Sequence, residues 1–212
     1  VGFVRMMASL SEKFSPKEIH VVWEGGGSLR RRAIFPDYKK GKKPQKMNRY
    51  YDDEIPDSHQ NKVGQVAFLT KCLRHLPVAQ HYIKDCEADD VIGYLARYKF
   101  KDSEVIIVSS DKDFYQLIDD RVTVWSPNQR KIIGKSDVLE KMHSLPSNMS
   151  VVRACVGDSS DNIGGVKRVG LKSLSNRVEI LRSVENVSLD DLFIECQERA
   201  KTSKLQIYAS IL

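Results

Sequence analysis

Residues 157–170 read GDSSDNIGGVKRVG, and the rest of the chain can be understood from this stretch. Its two carboxylates, Asp158 and Asp161, lie three residues apart and lead into a loop rich in glycine and basic residues. Glycine lets a backbone come close to an anion, and the first N–H groups of a helix can bind one. Two carboxylates beside a bound phosphate need a cation between them. The stretch therefore predicts metal-assisted chemistry on a phosphodiester.

The overall composition narrows the class of protein. The 212 residues, 41% of them hydrophobic, suffice for one sizeable core with at most a small second domain. A net charge of +6 at pH 7 favours a polyanionic partner such as nucleic acid. No apolar run approaches the roughly 18 residues that cross a bilayer, so neither a membrane partner nor a secretory signal is expected. The four scattered cysteines argue against zinc and for buried thiols in a reducing compartment.

Strands and helices are predicted to alternate through the first two thirds of the chain. Apolar runs at residues 19–23 and 104–110 are typical of buried strands, residues 78–83 form a plausible strand, and segments of helical periodicity separate the three. We therefore expect an α/β fold with a three-layer, mainly parallel sheet in residues 1–134. A helical C-terminal part is expected in residues 135–212.

A helix is also predicted at the start of the chain. Apolar side chains recur there at helical spacing and are expected to pack in the core: Phe3, Met6, Met7, Leu10 and Phe14.

Carboxylates follow each of the three predicted strands. They are Glu24 after the first, Glu87, Asp89 and Asp90 after the second, and Asp111 and Asp113 after the third. Because the carboxyl ends of parallel strands meet at one edge of a sheet, we expect one basin of carboxylates. Oxygen ligands select Mg²⁺ or Mn²⁺ over zinc. The alternative is helix capping, which the helix dipole favours by about 0.3–1 kcal/mol for each acid. Capping explains only one or two acids in each group, so metal ligation is favoured. At Glu24 the alternative is an ordinary solvated loop acid, and there both interpretations stand equal.

A strongly basic segment lies between the first two strands. Its basic residues are Arg30, Arg31, Arg32, Lys39, Lys40, Lys42, Lys43, Lys46 and Arg49. Phe35, Tyr38 and Tyr50 interleave with them, and this composition favours contact with phosphates and stacking on bases. The alternative is a solvated loop, as many charge runs are. The aromatic residues and Pro36 favour a loop that a ligand orders.

Three acidic motifs occur together in the sequence: EADD at residues 87–90, SDKD at residues 110–113 and GDSSDNI at residues 157–163. In order and spacing they resemble the motifs of the structure-specific 5′-nuclease family. This family comprises flap endonucleases, bacteriophage 5′→3′ exonucleases and the 5′-nuclease domain of bacterial DNA polymerase I. The resemblance extends from about residue 21 to about residue 181 and implies a PIN-like nuclease core.

The resemblance implies two divalent ions, Mg²⁺ or Mn²⁺, held by the carboxylates. The residues that resemble ligands of the tighter metal position are Glu87, Asp89, Asp90 and Asp111. Those that resemble ligands of the second position are Asp113, Asp158 and Asp161. Glu24 lies where the family usually has Asp, so the charge is kept on a longer side chain.

For the basic segment, the resemblance implies a helical arch at about residues 28–60, through which a 5′ single strand passes. Lys39 resembles the active-site lysine that contacts the scissile phosphate, and Arg31 is expected to add positive charge there. Further DNA contacts are expected from Arg30, Arg32, Tyr38, Lys40, Lys42 and Lys43.

Residues at about 150–182 resemble the helix-three-turn-helix that grips the backbone of a DNA duplex, in the family often with a bound K⁺. The expected DNA contacts are Gly164, Gly165, Lys167, Arg168 and Gly170. Gly164, Lys167 and Arg168 replace the more usual Pro, Pro and Gly, which alters the rigidity of the loop and adds positive charge.

The resemblance thus implies a divalent-metal-dependent 5′→3′ exonuclease or flap endonuclease acting in replication and repair. Its expected substrate is branched or nicked DNA with a 5′ end, or an RNA primer paired to DNA. A monomer is expected, in the cytoplasm of a bacterial or phage-infected cell, fused to or cooperating with a DNA polymerase. The family begins with a strand that carries an Asp ligand, so the chain is expected to be a fragment lacking that ligand.

Two other functions stay open from the residues alone. The first is a non-catalytic nucleic-acid-binding module, which predicts binding that is indifferent to Mg²⁺. The second is a Mg²⁺-dependent phosphatase in which Asp111 attacks phosphorus and forms a phospho-enzyme. The phosphatase leaves the basic segment and the glycine-rich loop without a purpose.

Overall fold

A computed structural model describes residues 2–27, 29–40 and 58–212 of the chain. Lys42, Lys43, Lys46, Arg49 and Tyr50, with most of the predicted arch, lie outside the described residues.

The helices and strands follow one another in this order: α1 (Gly2–Phe14), β1 (His20–Trp23), α2 (Leu29–Ile34), α3 (His59–Leu73), β2 (Ala79–Tyr82), α4 (Ala88–Tyr94), β3 (Val105–Val108), β4 (Val122–Ser126), β5 (Lys131–Ile133), α5 (Lys135–Met142), α6 (Met149–Val156), β6 (Gly157–Asp158), β7 (Ile163–Gly164), α7 (Leu171–Ser175), α8 (Ile180–Ser183), α9 (Leu189–Thr202) and α10 (Gln206–Ile211). A π-helical turn at Leu95–Lys99 continues α4, and 3-10 turns lie at Lys112–Leu117, Pro146–Asn148 and Ser159–Asp161.

Two compact units can be distinguished among the described residues. The first comprises residues 2–27 and 58–88, and the second comprises residues 29–40 and 89–212. The predicted division at residue 134 stays a prediction.

In the first unit, β1 pairs with β2 in parallel, with His20 opposite Ala79 and Trp23 opposite Tyr82. Both strands were predicted to within a residue at each end, because their apolar runs are bounded by turn residues. The helix α1 was also predicted, but its expected place in the core was wrong. None of its residues is buried, since a two-stranded sheet offers little area to cover a helix face.

In the second unit, β3 and β4 pair in parallel and β5 runs antiparallel to β4. Val122, Val124 and Ile133 from these strands form one core with Val138 and Met142 of α5. A second core gathers the C-terminal helices around Leu174, Leu181 and Leu192, together with Cys155 and Cys196.

The fold is mixed α/β, as predicted. The described strands lie in three short sheets, with the orders β1-β2, β3-β4-β5 and β6-β7. The hairpin of β6 and β7 was not predicted, because two-residue strands leave no periodicity in a sequence. Among the described residues, no helix is both long enough and apolar enough to span a membrane.

Candidate active site

The opening stretch of the sequence forms a tight hairpin, here called the acidic turn, residues 157–164. β6 and β7 pair as its arms, with Gly157 opposite Gly164, and a 3-10 turn joins them. Gly157 has φ +76°, and a Cβ atom on Gly165 would lie 2.2 Å from the carbonyl oxygen of Val156. Glycine is required at both positions because the two chain segments approach so closely. Gly157 and Gly165 thus allow the tight hairpin that contains Asp158.

Asp158 is held in place from two sides. Its Oδ1 accepts a hydrogen bond from the backbone N–H of Ser160 at 2.8 Å, and its Oδ2 lies 3.5 Å from Nη2 of Arg153. Partial burial would raise the pKa of Asp158, but the hydrogen bonds from Ser160 and the charge of Arg153 outweigh it, so the pKa lies below its ordinary value. Asp158 is therefore an anion at neutral pH.

Arg153, on the last turn of α6, joins Asp158 to Asp113. Its Nη2 donates a hydrogen bond to Oδ1 of Asp113 at 2.5 Å. Burial would lower the pKa of Arg153, but the hydrogen bond with Asp113 and the charges of Asp113, Asp158 and Asp111 raise it overall. Sequence reasoning missed this residue. The one feature that could have indicated it is a basic side chain in the last turn of a helix that precedes Asp158 and Asp161.

Arg31 and Asp90 form a second ion pair in the same unit. The guanidinium makes two parallel hydrogen bonds to the carboxylate, at 2.8 and 2.7 Å. Two parallel bonds of this kind fix the orientation of both groups. Arg31 therefore lies against one of the predicted metal ligands.

The ring of Tyr38 lies beneath two cations. The guanidinium carbon of Arg31 is 5.8 Å from the ring centroid, and Nζ of Lys39 is 5.0 Å from it. Tyr38 is only 7% exposed, which leaves little of the ring for a base. Its predicted contact with DNA stays a prediction, but in this structure the ring supports the two basic side chains.

Lys39 meets the acidic turn directly. Its backbone N–H donates to the carbonyl of Asp161 at 3.1 Å, and its Nζ lies 3.8 Å from Oδ2 of the same residue. The predicted phosphate-contacting lysine and a predicted metal ligand are therefore neighbours. Neither motif alone predicts this contact, because Lys39 and Asp161 lie far apart in the sequence.

The acids after β3 and at the start of α4 also make local bonds. Oδ1 of Asp111 accepts from the N–H of Asp113 at 3.0 Å and so caps the 3-10 turn, as the capping alternative predicted. Oδ1 of Asp89 accepts from the N–H of Asp90 at 2.8 Å.

The two glutamates belong to the first unit. Oε1 of Glu24 accepts from the N–H of Gly27 at 3.1 Å, and its Oε2 accepts from the N–H of Ala88 at 3.4 Å. Glu87 is 2% exposed. Glu24 thus accepts from two backbone N–H groups in this structure, and its role as a metal ligand stays a prediction.

The remaining predicted DNA contacts lie on the surface where they are described. The exposed residues are Arg30 and Arg32 on α2, Gly164 at the end of the acidic turn, and Gly165, Lys167, Arg168 and Gly170 after it. Lys40 is exposed and its Nζ donates to Asp37 at 2.8 Å.

The fit of these residues to a metal ion is partial. Their donor atoms are all carboxylate oxygens, which suit Mg²⁺ or Mn²⁺. In the described part of the chain, however, no three His, Cys, Asp or Glu residues are grouped so that they could hold an ion. Arg153, Arg31 and Lys39 lie against the carboxylates instead. In this arrangement the positive charges beside the carboxylates come from basic side chains.

The chain has a mixed α/β fold in which carboxylate and basic side chains meet at the acidic turn. Its sequence and fold can be compared with those of known proteins. Residues 1–143 match the model of a family described as the 5′-3′ exonuclease, N-terminal resolvase-like domain. Because the match spans more than half of the chain, the chain belongs to this family. The family predicted from the three acidic motifs is confirmed.

Two curated proteins are also similar in sequence to this chain. A 5′-3′ exonuclease of Aquifex aeolicus is 33% identical over 187 residues, which is 88% of this chain and 60% of that protein. A DNA polymerase I of Streptococcus pneumoniae is 30% identical over 212 residues, which is 97% of this chain and 22% of the polymerase. The chain thus spans less than two thirds of either relative.

One solved structure has a similar fold. A flap endonuclease of bacteriophage T5, crystallised as a pseudo-enzyme-product complex with DNA and metal ions, has a TM-score of 0.72. The match is 21% identical in sequence and covers 99% of this chain and 74% of that one.

Proposed function

We propose that the chain is a divalent-metal-dependent 5′→3′ exonuclease and flap endonuclease. Its substrate is branched or nicked DNA with a free 5′ end, or an RNA primer paired to DNA. The observation that carries the proposal is the meeting of opposite charges at the acidic turn, where Lys39 lies against Asp161 and Arg153 against Asp158. A site that must hold both cations and phosphate needs charges of both signs close together.

In this proposal Lys39 and Arg31 contact the phosphate whose bond is broken. A fixed positive charge is worth most where negative charge builds up in the transition state. Both side chains lie against the ring of Tyr38, which keeps their positive charges close to the acidic turn.

The carboxylates orient the cations. Bound divalent ions would supply an activated water and neutralise the leaving oxygen. Asp113, Asp158 and Asp161 would exchange their present basic partners for such ions. The ligand roles of all eight acids, Glu24, Glu87, Asp89, Asp90, Asp111, Asp113, Asp158 and Asp161, stay predictions, as does K⁺ at the helix-three-turn-helix.

Recognition would rest on the shape of the DNA. The exposed Lys167 and Arg168 and the glycines around them suit contacts to phosphates, and such contacts position a duplex without reading its sequence. The helix-three-turn-helix and the three-layer, mainly parallel sheet are part of this proposal. The parallel pairs β1-β2 and β3-β4 support the sheet. The polymerase relative supports cooperation with a DNA polymerase, and the bacterial relatives support a bacterial cytoplasm.

The binding module remains the second candidate, because one observation favours it. Arg31, Lys39 and Arg153 neutralise Asp90, Asp161, Asp113 and Asp158, which would lessen their repulsion of phosphate without any metal.

A cleavage assay separates the two candidates. The protein is incubated with a 5′-flap duplex, with the same duplex whose 5′ end is blocked, and with a matched 3′-flap duplex, each with Mg²⁺ or with chelator. The nuclease is expected to cut near the junction of the free 5′ flap, and only with Mg²⁺. Equal binding of the junction with and without Mg²⁺, and no product in either case, would overturn the nuclease in favour of the binding module.

A further inference from the structure

Asn162, at the end of the acidic turn, has an unusual backbone conformation and an unusual set of contacts. Its φ is +62° and its ψ is +21°, in the left-handed region that Asn tolerates better than most residues. This conformation ends the 3-10 turn and directs the side chain away from the hairpin. The amide Nδ2 then donates to the carbonyl of Asp37 at 3.0 Å and to that of Lys40 at 2.8 Å.

These two bonds join segments that are far apart in the sequence. Asn162 lies 125 residues after Asp37 and 122 residues after Lys40. A third bond, from the backbone N–H of Lys39 to the carbonyl of Asp161 at 3.1 Å, runs in the opposite direction. The three bonds form what is here called the tie, between residues 37–40 and residues 161–162.

The basic end of the tie is itself constrained. Lys39 has φ +55°, in the left-handed region that residues other than glycine adopt infrequently. Its neighbours close a turn through the bond from the N–H of Lys40 to the carbonyl of Asp37 at 3.0 Å. The tie thus sets the direction in which the side chain of Lys39 leaves the backbone.

We propose that Asn162 is a positioning residue that aligns Lys39 with the carboxylate of Asp161, an inference that rests on the proposed function. The amide uses both of its N–H groups on the two carbonyls that flank Lys39, so it fixes this turn from both sides. Asn162 has no need to contact substrate. Its effect on the reaction is transmitted through the location of the Lys39 ammonium group, 3.8 Å from Oδ2 of Asp161.

Two substitutions isolate the side-chain amide. Asn162→Gly keeps access to the left-handed conformation but removes both donors. Asn162→Asp keeps the size and tolerates the same conformation, but points a carboxylate at two carbonyl oxygens. Asn186→Gly is the matched control, because Asn186 is also left-handed, with φ +57°, and exposed.

The first readout needs no activity. Hydrogen exchange of the Lys39 amide is expected to be at least about tenfold faster in both Asn162 variants than in the native protein or in Asn186→Gly. Amides of α9 serve as the reference for global stability. Unchanged exchange at Lys39 in Asn162→Gly would overturn the tie.

The second readout is cleavage of the 5′-flap duplex. A displaced lysine should lower kcat on the order of tenfold, while KM stays within about twofold because the other basic side chains still bind DNA. Faster exchange at Lys39 with an unchanged kcat would overturn the positioning role. If the native protein fails to cleave, the proposed function fails, and the exchange measurement alone then decides whether the tie exists.

Discussion

Arg153 donates from Nη2 to Oδ1 of Asp113 across 2.5 Å, although the two residues lie 40 positions apart in the chain. The same nitrogen lies 3.5 Å from Oδ2 of Asp158. One guanidinium therefore satisfies two of the acids to which the family resemblance assigns a metal. A divalent ion that binds these carboxylates must compete with a cation that the protein already supplies.

Replacing Arg153 by methionine should make this competition visible. Without metal, Asp113 and Asp158 are left as neighbouring anions, so the melting temperature should fall by about 2–4 °C, equivalent to about 1 kcal/mol. With Mn²⁺ present, the variant should gain more thermal stability than the native protein, because no guanidinium has to be displaced.

Thermal unfolding across a Mn²⁺ titration measures both effects. Arg97→Met is the control, since Arg97 pairs at 3.6 Å with Asp119, which belongs to none of the three predicted motifs. An identical response to Mn²⁺ in the native protein and in Arg153→Met would refute the competition.

Gly164, the last residue of the acidic turn, should tolerate a methyl group, whereas Gly165, the residue after it, should not. A Cβ at Gly165 would lie 2.2 Å from a backbone oxygen, whereas a Cβ at Gly164 would meet nothing within 4 Å. Gly165→Ala should lower the free energy of unfolding by at least about 2 kcal/mol, and Gly164→Ala should change it by less than about 0.5 kcal/mol. Urea unfolding of the two variants compares them. Equal losses would show that the close approach at Gly165 is not what holds the turn.

Asn148 should contribute strongly to the stability of the helical part. Its side chain is buried, donates to the carbonyls of Leu181 and Val184 at 3.1 and 2.6 Å, and accepts from the N–H of Val187 at 2.8 Å. Asn148→Ala would remove three hydrogen bonds and leave the buried N–H of Val187 without its acceptor, and should cost about 2 kcal/mol or more in urea unfolding. The exposed Asn128→Ala should cost less than about 0.5 kcal/mol. A similar small loss in both variants would contradict the account of this network.

The two buried cysteines should make the fold sensitive to alkaline pH. Burial raises the pKa of Cys196 to about 11, compared with about 8.5 in an unfolded chain. Because the unfolded chain releases this proton first, the stabilising contribution is complete below about pH 8.5 and is lost between about pH 8.5 and 11. Burial raises the pKa of Cys155 as well.

Unfolding free energies measured from pH 7.5 to 10.5 should therefore decline, by up to about 1.4 kcal/mol per pH unit for each thiol. Cys196→Ala should be less stable at pH 7.5 but show a shallower decline. Cys72→Ala, which keeps both buried thiols, should retain the native decline. A slope that Cys196→Ala leaves unchanged would assign the alkaline sensitivity to other groups.

Local patterns in the sequence predicted the elements of the fold well. The segments that form β1, β2 and β3 are short and bounded by turn residues, so their strand character depends on neighbours within a few positions. The burial of α1 could not be predicted in the same way. Apolar side chains at helical spacing show that a helix has an apolar face. They do not show how much of the rest of the protein packs against that face.

The acidic residues of the candidate site could be predicted from the sequence, but the residues that contact them could not. Asp158 and Asp161 stand out because glycine and charge are concentrated around them. Arg153 and Asn162 did not stand out, since their partners lie 40 and more than 120 residues away. The burial of Tyr38 was not predicted either, because burial depends on tertiary packing that composition does not encode.

The most direct test of the central claim is to compare DNA cleavage and DNA binding for Asp158→Asn. An amide can still accept the bond from Ser160, so the turn should stay folded, but it carries no charge to hold a cation. Asp120→Asn is the control, because Asp120 is 94% exposed and pairs only with Lys135 among the contacts described. With Mg²⁺ and a 5′-flap duplex, we expect Asp158→Asn to lose at least about 100-fold in single-turnover cleavage while binding the junction as tightly as the native protein. Cleavage within about twofold of the native rate would contradict a catalytic role for the acidic turn.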